Sequence, residues 1–202
     1  LAGNLLALLQ SNLKRLLAYS SIAHVGYLMI VFMVCLTAAD RRLAVEAAAF
    51  YLIAYTVTTL AAFGLLTLIS AQEVERENVQ LQHVSGLFWR QPVLAMMLLV
   101  ALLSLAGIPL TAGFIGKFYL FGAAVDGSNW VLLGALIAGS GIGIYYYLRV
   151  VFYMTRKPEE HGMDLPVITG RGTRILCVGL IATILLLGIM PQSLMGYLQS
   201  IL

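Results

Sequence analysis

A lysine inside an apolar stretch is the residue of this sequence best suited to chemistry. Lys117 lies in the run Gly113-Phe-Ile-Gly-Lys-Phe-Tyr119, eight residues after Pro109 and nine before Asp126. At membrane depth a lysine costs at least about 2.5–3.5 kcal/mol on insertion scales, so its side chain should face protein or water. A lysine that exchanges between charged and neutral forms can pass a proton along a file of water molecules. We therefore expect Lys117 to carry protons, although its side chain could instead snorkel to the membrane interface.

A histidine and a tyrosine could extend a proton path from this lysine. The ordinary pKa of a histidine is near neutrality, which suits a relay, but His24 could equally be a neutral core histidine bonded to a carbonyl or a hydroxyl. Tyr145-Tyr146-Tyr147 end an apolar run beside Arg149, a position where aromatic residues form an interfacial belt. Three consecutive tyrosines spread over about 200° of a helix, so at least one should point inward. We assign Tyr146 to the lining of the pathway.

Other polar and small residues have simpler explanations. The hydroxyls within residues 44–70 could line a hydrated passage or bond neighbouring helices at about 0.6 kcal/mol each; they belong to Tyr51, Tyr55, Thr56, Thr58 and Thr59. Glu46, near the start of the same run, is expected to favour the helix dipole as a first-turn carboxylate. Gly139 and Gly143 form a GxxxG pair, which indicates close helix packing.

The composition places these residues in a membrane. Of the 202 residues, 61% are hydrophobic and 10% are charged, with a mean hydropathy of +0.94, whereas soluble domains carry about 45–50% apolar and about 25% charged residues. This excludes soluble enzymes and intrinsically disordered proteins. The net charge of +3 is spread along the chain and makes no nucleic-acid footprint. Cys35 and Cys177 lack metal-ligand spacing and no nucleophile triad or dinucleotide fingerprint is present, so we expect neither metal nor redox chemistry in this chain.

Apolar runs predict an all-α, polytopic transmembrane helix bundle forming a single domain over residues 1–202. Residues 1–10 are the end of a helix, and five full spans follow at 16–38, 44–70, 92–125, 129–154 and 174–190, the last ended by Pro191. Region 92–125 is too long for a hydrocarbon core of about 30 Å, because one helix of that length would reach about 51 Å. Glycine and proline interrupt helices, and the region contains Gly107, Pro109, Gly113 and Gly116. We therefore predict a discontinuous helix there rather than a simple proline kink.

The basic residues predict the orientation of the chain. Three loops that alternate with two others hold Lys14, Arg15, Arg76, Arg90, Arg156, Lys157, Arg171 and Arg174. The two alternate loops hold only Arg41 and Arg42. The positive-inside rule places the first set in the cytoplasm and the C-terminus on the non-cytoplasmic side. Leu1 already lies in an apolar stretch without a signal-peptide n-region, so we expect this chain to be part of a longer one.

Two motifs resemble a known family. The segment Gln10-Ser-Asn-Leu-Lys-Arg-Leu-Leu-Ala-Tyr-Ser-Ser-Ile-Ala-His-Val-Gly-Tyr27 is similar to the strongly patterned segment of the antiporter-like proton-translocating subunits of respiratory complex I, the NADH:quinone oxidoreductase. The segment Ser104-Leu-Ala-Gly-Ile-Pro-Leu-Thr-Ala-Gly-Phe-Ile-Gly-Lys-Phe118 resembles the broken twelfth helix of that family. The resemblance covers essentially the whole chain. It implies the second inverted repeat of an antiporter-like fold, from the end of the ninth helix to the fourteenth.

The resemblance also implies a function. Lys117 would be the central proton-carrying lysine, and quinone reduction elsewhere in the complex would drive proton pumping through it. NADH, FMN, iron–sulfur clusters and quinone would be bound by partner subunits, with no cofactor in this chain. Its partners would be the lipid bilayer and other membrane subunits of complex I, including neighbouring antiporter-like subunits, in a bacterial inner (plasma) membrane, with no nucleic acid.

Two alternatives to this function stay open. A subunit of a multisubunit cation/proton antiporter shares the fold and the lysine, and a related membrane-bound hydrogenase belongs to the same alternative. A purely structural membrane subunit is also possible, and it would require Lys117 to be dispensable.

Overall fold

The computed structural model describes residues 1–37, 41–70, 79–157 and 171–201, and its regular elements in these ranges are helices. They are α1 (Ala2–Leu8), α2 (Leu13–Thr37), α3 (Arg41–Ser70), α4 (Leu87–Arg90), α5 (Pro92–Ala106), α6 (Ala112–Asp126), α7 (Trp130–Thr155), α8 (Arg171–Ile189) and α9 (Pro191–Ile201). A 3₁₀ turn at Leu81–Val84 precedes α4. Arg76, which contributes to the predicted orientation, lies outside the described residues.

Several helices are suited to a membrane. Leu13–Cys35 of α2, all of α3 and all of α7 are each long and apolar enough to cross a bilayer. In hydrocarbon every backbone amide and carbonyl must be bonded within the protein, and a continuous helix achieves this along its length. Ile175–Ile189 of α8 and α9 meet the same test together as a bent pair, which gives up to four candidate spans in the described part of the chain. The prediction of an all-helical, multi-pass membrane protein is confirmed.

The region 92–125 is divided into two helices. The helices α5 and α6 have 15 residues each, so each is about 22 Å long and too short to cross the hydrocarbon core alone. The connection between them contains two residues with positive φ, Gly107 at 82° and Leu110 at 73°. Helix α8 packs directly on this connection, because a Cβ added at Gly188 would lie 2.4 Å from the carbonyl oxygen of Leu110. The predicted discontinuity is therefore present, between Ala106 and Ala112.

Of two expectations about helix ends, the one about Pro191 is confirmed and the one about Glu46 is wrong. The helix α8 ends at Ile189, just before Pro191, as expected; Pro191 itself begins α9, which is bent by 81° from α8. Proline suits the first turn of a helix because the amide it lacks would have no partner there. Glu46 is not a first-turn residue, because α3 begins five residues earlier at Arg41. Its carboxylate is buried and accepts a 3.2 Å hydrogen bond from Nε2 of Gln199 in α9.

Small residues bring α1, α2 and α7 into close contact. A Cβ added at Gly139 of α7 would lie 2.8 Å from the Tyr27 hydroxyl and 2.9 Å from Nδ2 of Asn4. A Cβ added at Gly3 of α1 would lie 2.7 Å from the backbone nitrogen of Ala23 in α2. The close packing predicted from the GxxxG pair is therefore present at Gly139. It allows polar side chains of three helices to meet.

Candidate functional site

Lys117 lies in the second turn of α6, and its side chain is only 4% exposed. Its Nζ donates hydrogen bonds to the carbonyl oxygens of Ala106 at 2.9 Å and Leu105 at 3.1 Å. These carbonyls belong to the last turn of α5, where helix carbonyls lack intrahelical partners and carry partial negative charge. The lysine therefore reaches back across the break, and the end of the preceding helix stabilises its ammonium form.

Gly107 leaves these two carbonyls free and makes room for the lysine. With φ at 82°, its amide donates to the carbonyls of Leu103 and Ser104, and the next amide also donates to Leu103. A left-handed helix cap of this kind uses the earlier carbonyls of the final turn. A Cβ at Gly107 would lie 2.8 Å from Cδ and 3.2 Å from Nζ of Lys117. Glycine therefore suits this position through its backbone conformation, and it leaves the Lys117 side chain in place.

Ser104 holds the start of α6 in place. Its Oγ accepts a 3.1 Å hydrogen bond from the amide of Gly113 and lies 3.0 Å from Oγ1 of Thr58. The first amides of a helix have no intrahelical acceptor, so this bond satisfies one of them. A Cβ at Gly113 would lie 1.8 Å from the carbonyl oxygen of Ser104, so only glycine allows the two halves to approach this closely. Thr58, Ser104 and Gly113 thus join α3, α5 and α6 beside the break.

His24 lies in a series of hydrogen-bonded side chains from α2, α3 and α7. Its Nδ1 is 2.6 Å from the Tyr51 hydroxyl, and its Nε2 is 3.4 Å from the Tyr147 hydroxyl. The Tyr147 hydroxyl in turn lies 2.5 Å from Oγ of Ser20. We call these four residues the hydroxyl–imidazole chain. Each hydroxyl can donate and accept, and a neutral imidazole does both through different nitrogens, so the chain can pass a proton in either direction.

Asn4 lies at the centre of a second polar group, and its side chain is fully buried. The Tyr146 hydroxyl donates to Oδ1 of Asn4 at 3.1 Å, and Nδ2 of Asn4 donates to the Tyr27 hydroxyl at 2.8 Å. A carboxamide donates only through nitrogen and accepts only through oxygen, so these two bonds have a fixed direction. This group fastens α1, α2 and α7 together.

Tyr27 connects the lysine with the histidine spatially. Nζ of Lys117 lies 5.7 Å from the centroid of the Tyr27 ring, a distance at which an ammonium is attracted to the face of an aromatic ring. The His24 ring contacts the same tyrosine edge-on, with centroids 5.5 Å apart. Lys117 and His24 thus share one aromatic neighbour.

The residues singled out in the sequence lie near one another. Lys117 and His24 contact the same tyrosine, and the Tyr146 ring is 4.5 Å from the ring of Tyr147, centroid to centroid. The inward orientation expected of at least one of the three consecutive tyrosines applies to two, since Tyr146 and Tyr147 are each 1% exposed while Tyr145 is 62% exposed.

The hydroxyls of α3 have different environments. Thr56 and Thr58 both donate to a carbonyl of their own helix, and Thr58 in addition bonds to another helix through Ser104. The hydroxyl of Thr59 is buried without a hydrogen-bond partner. The interhelical bonding considered for this set therefore applies to Thr58, and also to Tyr51 through His24.

Four members of the two polar groups were not singled out from the sequence as site residues: Asn4, Ser20, Tyr27 and Tyr147. A usable signal was present on α2, where Ser20, His24 and Tyr27 follow one another at intervals of four and three residues. Residues at these intervals lie on one face of a helix. Asn4 carried no such signal, because its partners come from α2 and α7.

Comparison with known proteins agrees with this architecture. The family described as NADH:quinone oxidoreductase/Mrp antiporter, transmembrane region, matches residues 1–143. NADH-quinone oxidoreductase subunit N of Ectopseudomonas mendocina is 51% identical over 204 residues, which cover 99% of this chain and 40% of the relative. Subunit N of Methylococcus capsulatus is 52% identical over 194 residues, covering 96% of this chain and 38% of the relative. The chain therefore spans about two fifths of the length of these relatives.

Solved structures show the same fold. Respiratory complex I from Thermus thermophilus with bound Aureothin contains a chain that matches with a TM-score of 0.78 and 35% identity, over 96% of this chain and 42% of that one. The Mrp complex from Dietzia sp. matches with a TM-score of 0.80 at 20% identity, over 96% and 43% of the two chains, which shows similarity of fold alone. The resemblance drawn from the two sequence motifs is confirmed, and this chain belongs to the NADH:quinone oxidoreductase/Mrp antiporter transmembrane family.

Proposed function

We propose that this chain is the C-terminal part of a proton-translocating membrane subunit of an NADH:quinone oxidoreductase. Quinone reduction elsewhere in the complex drives protons through Lys117. The observation that carries this proposal is the placement of Lys117: it is buried and bonded to the final carbonyls of α5 at the break in the helix. The 43–52% identity to subunits N of NADH-quinone oxidoreductases supports the assignment to that complex.

The environment of Lys117 suits a group that gains and loses a proton. Transferring an ammonium from water into a protein interior is costly, which disfavours the charged form. The two carbonyls and the negative end of the α5 dipole favour the same charged form. Two opposing effects of this kind let a nearby charge decide between the forms. Lys117 accepts a proton from a hydrated central axis and releases it when a neighbouring charge is driven towards it.

His24 and Tyr146 have separate parts in the proposed mechanism. His24 relays protons through the hydroxyl–imidazole chain, since both of its ring nitrogens contact tyrosine hydroxyls. Tyr146 lines the pathway beside Tyr147, and its bond to Asn4 fixes the position of its ring. Gly107 and Pro109 lie in the helix break that presents Lys117 to this region, whereas Gly113 and Gly116 lie within α6 and pack it against Ser104 and Tyr51.

The proposed orientation follows from the basic residues. Lys14 and Arg15 at the start of α2, Arg90 at the end of α4 and Lys157 after α7 face the cytoplasm, in line with the positive-inside rule. The protein is then a multi-pass subunit of the bacterial inner membrane with its C-terminus on the non-cytoplasmic side. Other membrane subunits, including neighbouring antiporter-like ones, surround it, and the redox cofactors and quinone are bound by partner subunits.

A multisubunit cation/proton antiporter is the second candidate, because the Mrp complex shares this fold. A membrane-bound hydrogenase is also compatible with this fold. A chain of a membrane-bound sulfane sulfur reductase has the same fold, with a TM-score of 0.77 at 22% identity. In the antiporter, proton movement would depend on a gradient of the exchanged cation and would not require NADH. The two functions therefore differ in the driving force that moves the proton.

The test replaces Lys117 in the full-length subunit within its membrane complex. We expect Lys117→Ala to lower NADH-driven proton uptake into inside-out vesicles by at least about tenfold, since positioned proton-transfer groups commonly contribute more than this. Lys157→Ala, which removes an exposed lysine, is the matched control and should leave uptake unchanged. Unchanged uptake in the Lys117 variant would exclude the carrier role. Uptake that needs a sodium or potassium gradient rather than NADH would identify the antiporter.

A further inference from the structure

Tyr51 contacts both α6, the helix that follows the break, and His24, the histidine of the proposed relay. Its side chain is 1% exposed, and its hydroxyl lies 2.6 Å from Nδ1 of His24. On its other side the same residue packs against α6 at Gly116, where an added Cβ would lie 2.9 Å from Cδ2 and 3.3 Å from Cα of Tyr51. Gly116 immediately precedes Lys117. One rigid side chain therefore contacts both the histidine and the helix that carries the lysine.

The hydrogen bond from Tyr51 determines how His24 can act. A neutral imidazole carries its proton on one nitrogen, and the bond made by the other nitrogen selects which one. When the Tyr51 hydroxyl donates to Nδ1, the proton must be on Nε2, which faces the Tyr147 hydroxyl at 3.4 Å. When Nδ1 donates to Tyr51, the order of the whole chain reverses. The donor in the bond between Tyr51 and His24 thus sets the direction in which the hydroxyl–imidazole chain is ready to conduct, and the Tyr51 hydroxyl must lie at Nδ1 for that bond to exist.

The position of that hydroxyl depends on α6. Tyrosine has a stiff ring, so a shift of the backbone at Gly116 moves the ring that lies on it and with it the hydroxyl. Lys117 bonds to Leu105 and Ala106 rather than to any member of the hydroxyl–imidazole chain. Besides the Tyr27 ring that both residues contact, the packing of Gly116 on Tyr51 is therefore a route by which a change at Lys117 could reach His24.

We propose that Tyr51 is the residue that couples Lys117 to His24: its ring follows α6 at Gly116, and its hydroxyl makes or breaks the chain at Nδ1. This inference rests on the proposed function. In the conducting step a proton enters at the Tyr51 oxygen as the existing Tyr51 proton moves to Nδ1. The Nε2 proton moves to Tyr147, whose own proton passes to Ser20, and one proton leaves from Ser20. Each O–H or N–H bond that breaks is replaced, His24 changes tautomer, and the chain keeps its net charge.

The test separates the hydroxyl of Tyr51 from its ring. Tyr51→Phe keeps the ring on Gly116 but removes the bond to His24. Tyr55→Phe is the matched control, because Tyr55 stacks on the same imidazole at 4.9 Å between centroids while Nδ1 and Nε2 are bonded to Tyr51 and Tyr147. Both variants are made in the full-length subunit within its complex. Protons taken up per NADH oxidised by inside-out vesicles, the KM for quinone and the amount of assembled complex are measured.

We expect Tyr51→Phe to lower the protons taken up per NADH, with the KM for quinone and assembly unchanged, and Tyr55→Phe to match the parent protein. A purely structural role would lower the assembled amount without changing the ratio of protons to NADH. Equal ratios in the Tyr51→Phe variant and the parent would overturn the inference. If the Tyr51→Phe ratio is unchanged but Lys117→Ala abolishes uptake in the same assay, the coupling role of Tyr51 fails and the proposed function stands. If Lys117→Ala has no effect on uptake, the proposed function and the coupling role both fail.

A second pair of variants acts on the ring and keeps the hydroxyl. Gly116→Ala introduces a Cβ against Tyr51, whereas Gly122→Ala on the same helix adds a Cβ with nothing within 4 Å. We expect a lowered proton-to-NADH ratio for Gly116→Ala alone. This pair decides the matter if Tyr51→Phe fails to assemble: a normal ratio in assembled Gly116→Ala would contradict the coupling, and a lowered ratio supports it.

Discussion

Nζ of Lys117 lies 2.9 Å from the carbonyl oxygen of Ala106, so a side chain of α6 completes the hydrogen bonding at the end of α5. The two halves of the broken helix are joined by a group that can itself titrate. The number of protons available for this bond depends on whether the lysine is charged. A substitution can keep the positive charge at this position while preventing release of a proton, and the first prediction uses one.

An arginine at position 117 keeps the positive charge but does not release its proton. The guanidinium can donate to the carbonyls of Leu105 and Ala106, yet it stays protonated in proteins. We expect Lys117→Arg in the full-length subunit to lower NADH-driven proton uptake by at least about tenfold, as loss of a proton-transfer group does. The measurement compares uptake in vesicles with the amount of assembled complex. Parent-like uptake in this variant would mean that the charge matters and its titration does not.

Glycine is the residue best suited to position 107 at the end of α5. Its φ of 82° strains any residue with a Cβ, and that Cβ would lie 2.8 Å from the Lys117 side chain. A left-handed conformation costs a residue with a side chain about 1–2 kcal/mol, so we expect Gly107→Ala to lower the thermal unfolding temperature of the assembly. Gly134→Ala on α7, where an added Cβ meets nothing within 4 Å, should leave it unchanged or raise it. Equal stability of the two variants would refute the requirement for glycine.

Thr58 and Thr59 provide a matched test of the bonding beside the break. The hydroxyl of Thr58 bonds to Ser104, whereas that of Thr59 is buried without a partner. Removing one partner of a buried hydrogen bond costs about 1–3 kcal/mol, whereas removing an unpaired buried hydroxyl is neutral or stabilising. We expect Thr58→Val to destabilise the full-length protein and Thr59→Val not to, as measured by thermal unfolding. The opposite ranking would show that Ser104 does not depend on α3.

Tyr146 is expected to contribute to stability through Asn4. Tyr146→Phe leaves Oδ1 of the fully buried Asn4 without the hydrogen bond it now accepts, a loss of about 1 kcal/mol or more. Tyr145→Phe is the control, because Tyr145 is 62% exposed. Thermal unfolding of the two variants should therefore differ, with Tyr146→Phe lower. A Tyr146→Phe variant as stable as Tyr145→Phe would show that Asn4 finds another donor.

The amino-acid sequence by itself determines that the protein is a helical membrane protein. Continuous apolar runs of bilayer length are expected to be helices in hydrocarbon. Region 92–125 is too long for one such helix, and its Gly107 and Pro109 located the break. The sequence also isolated Lys117, because a lysine inside an apolar segment is expensive enough to be rare. Turns at proline were ambiguous, since Pro191 both follows one helix and begins the next.

Only the tertiary structure decided which polar side chains meet. The bond from Lys117 to Ala106 depends on how two helices fold back at the break, and the contact of Tyr51 with His24 joins residues 27 positions apart on separate helices. Asn4 gains both of its partners from other helices. Hydrophobic periodicity describes the face of one helix and contains no information about the rotation and depth of its neighbours. Packing fixes these two quantities, and they bring Lys117 and His24, which the sequence singled out, together with partners such as Asn4, which it did not.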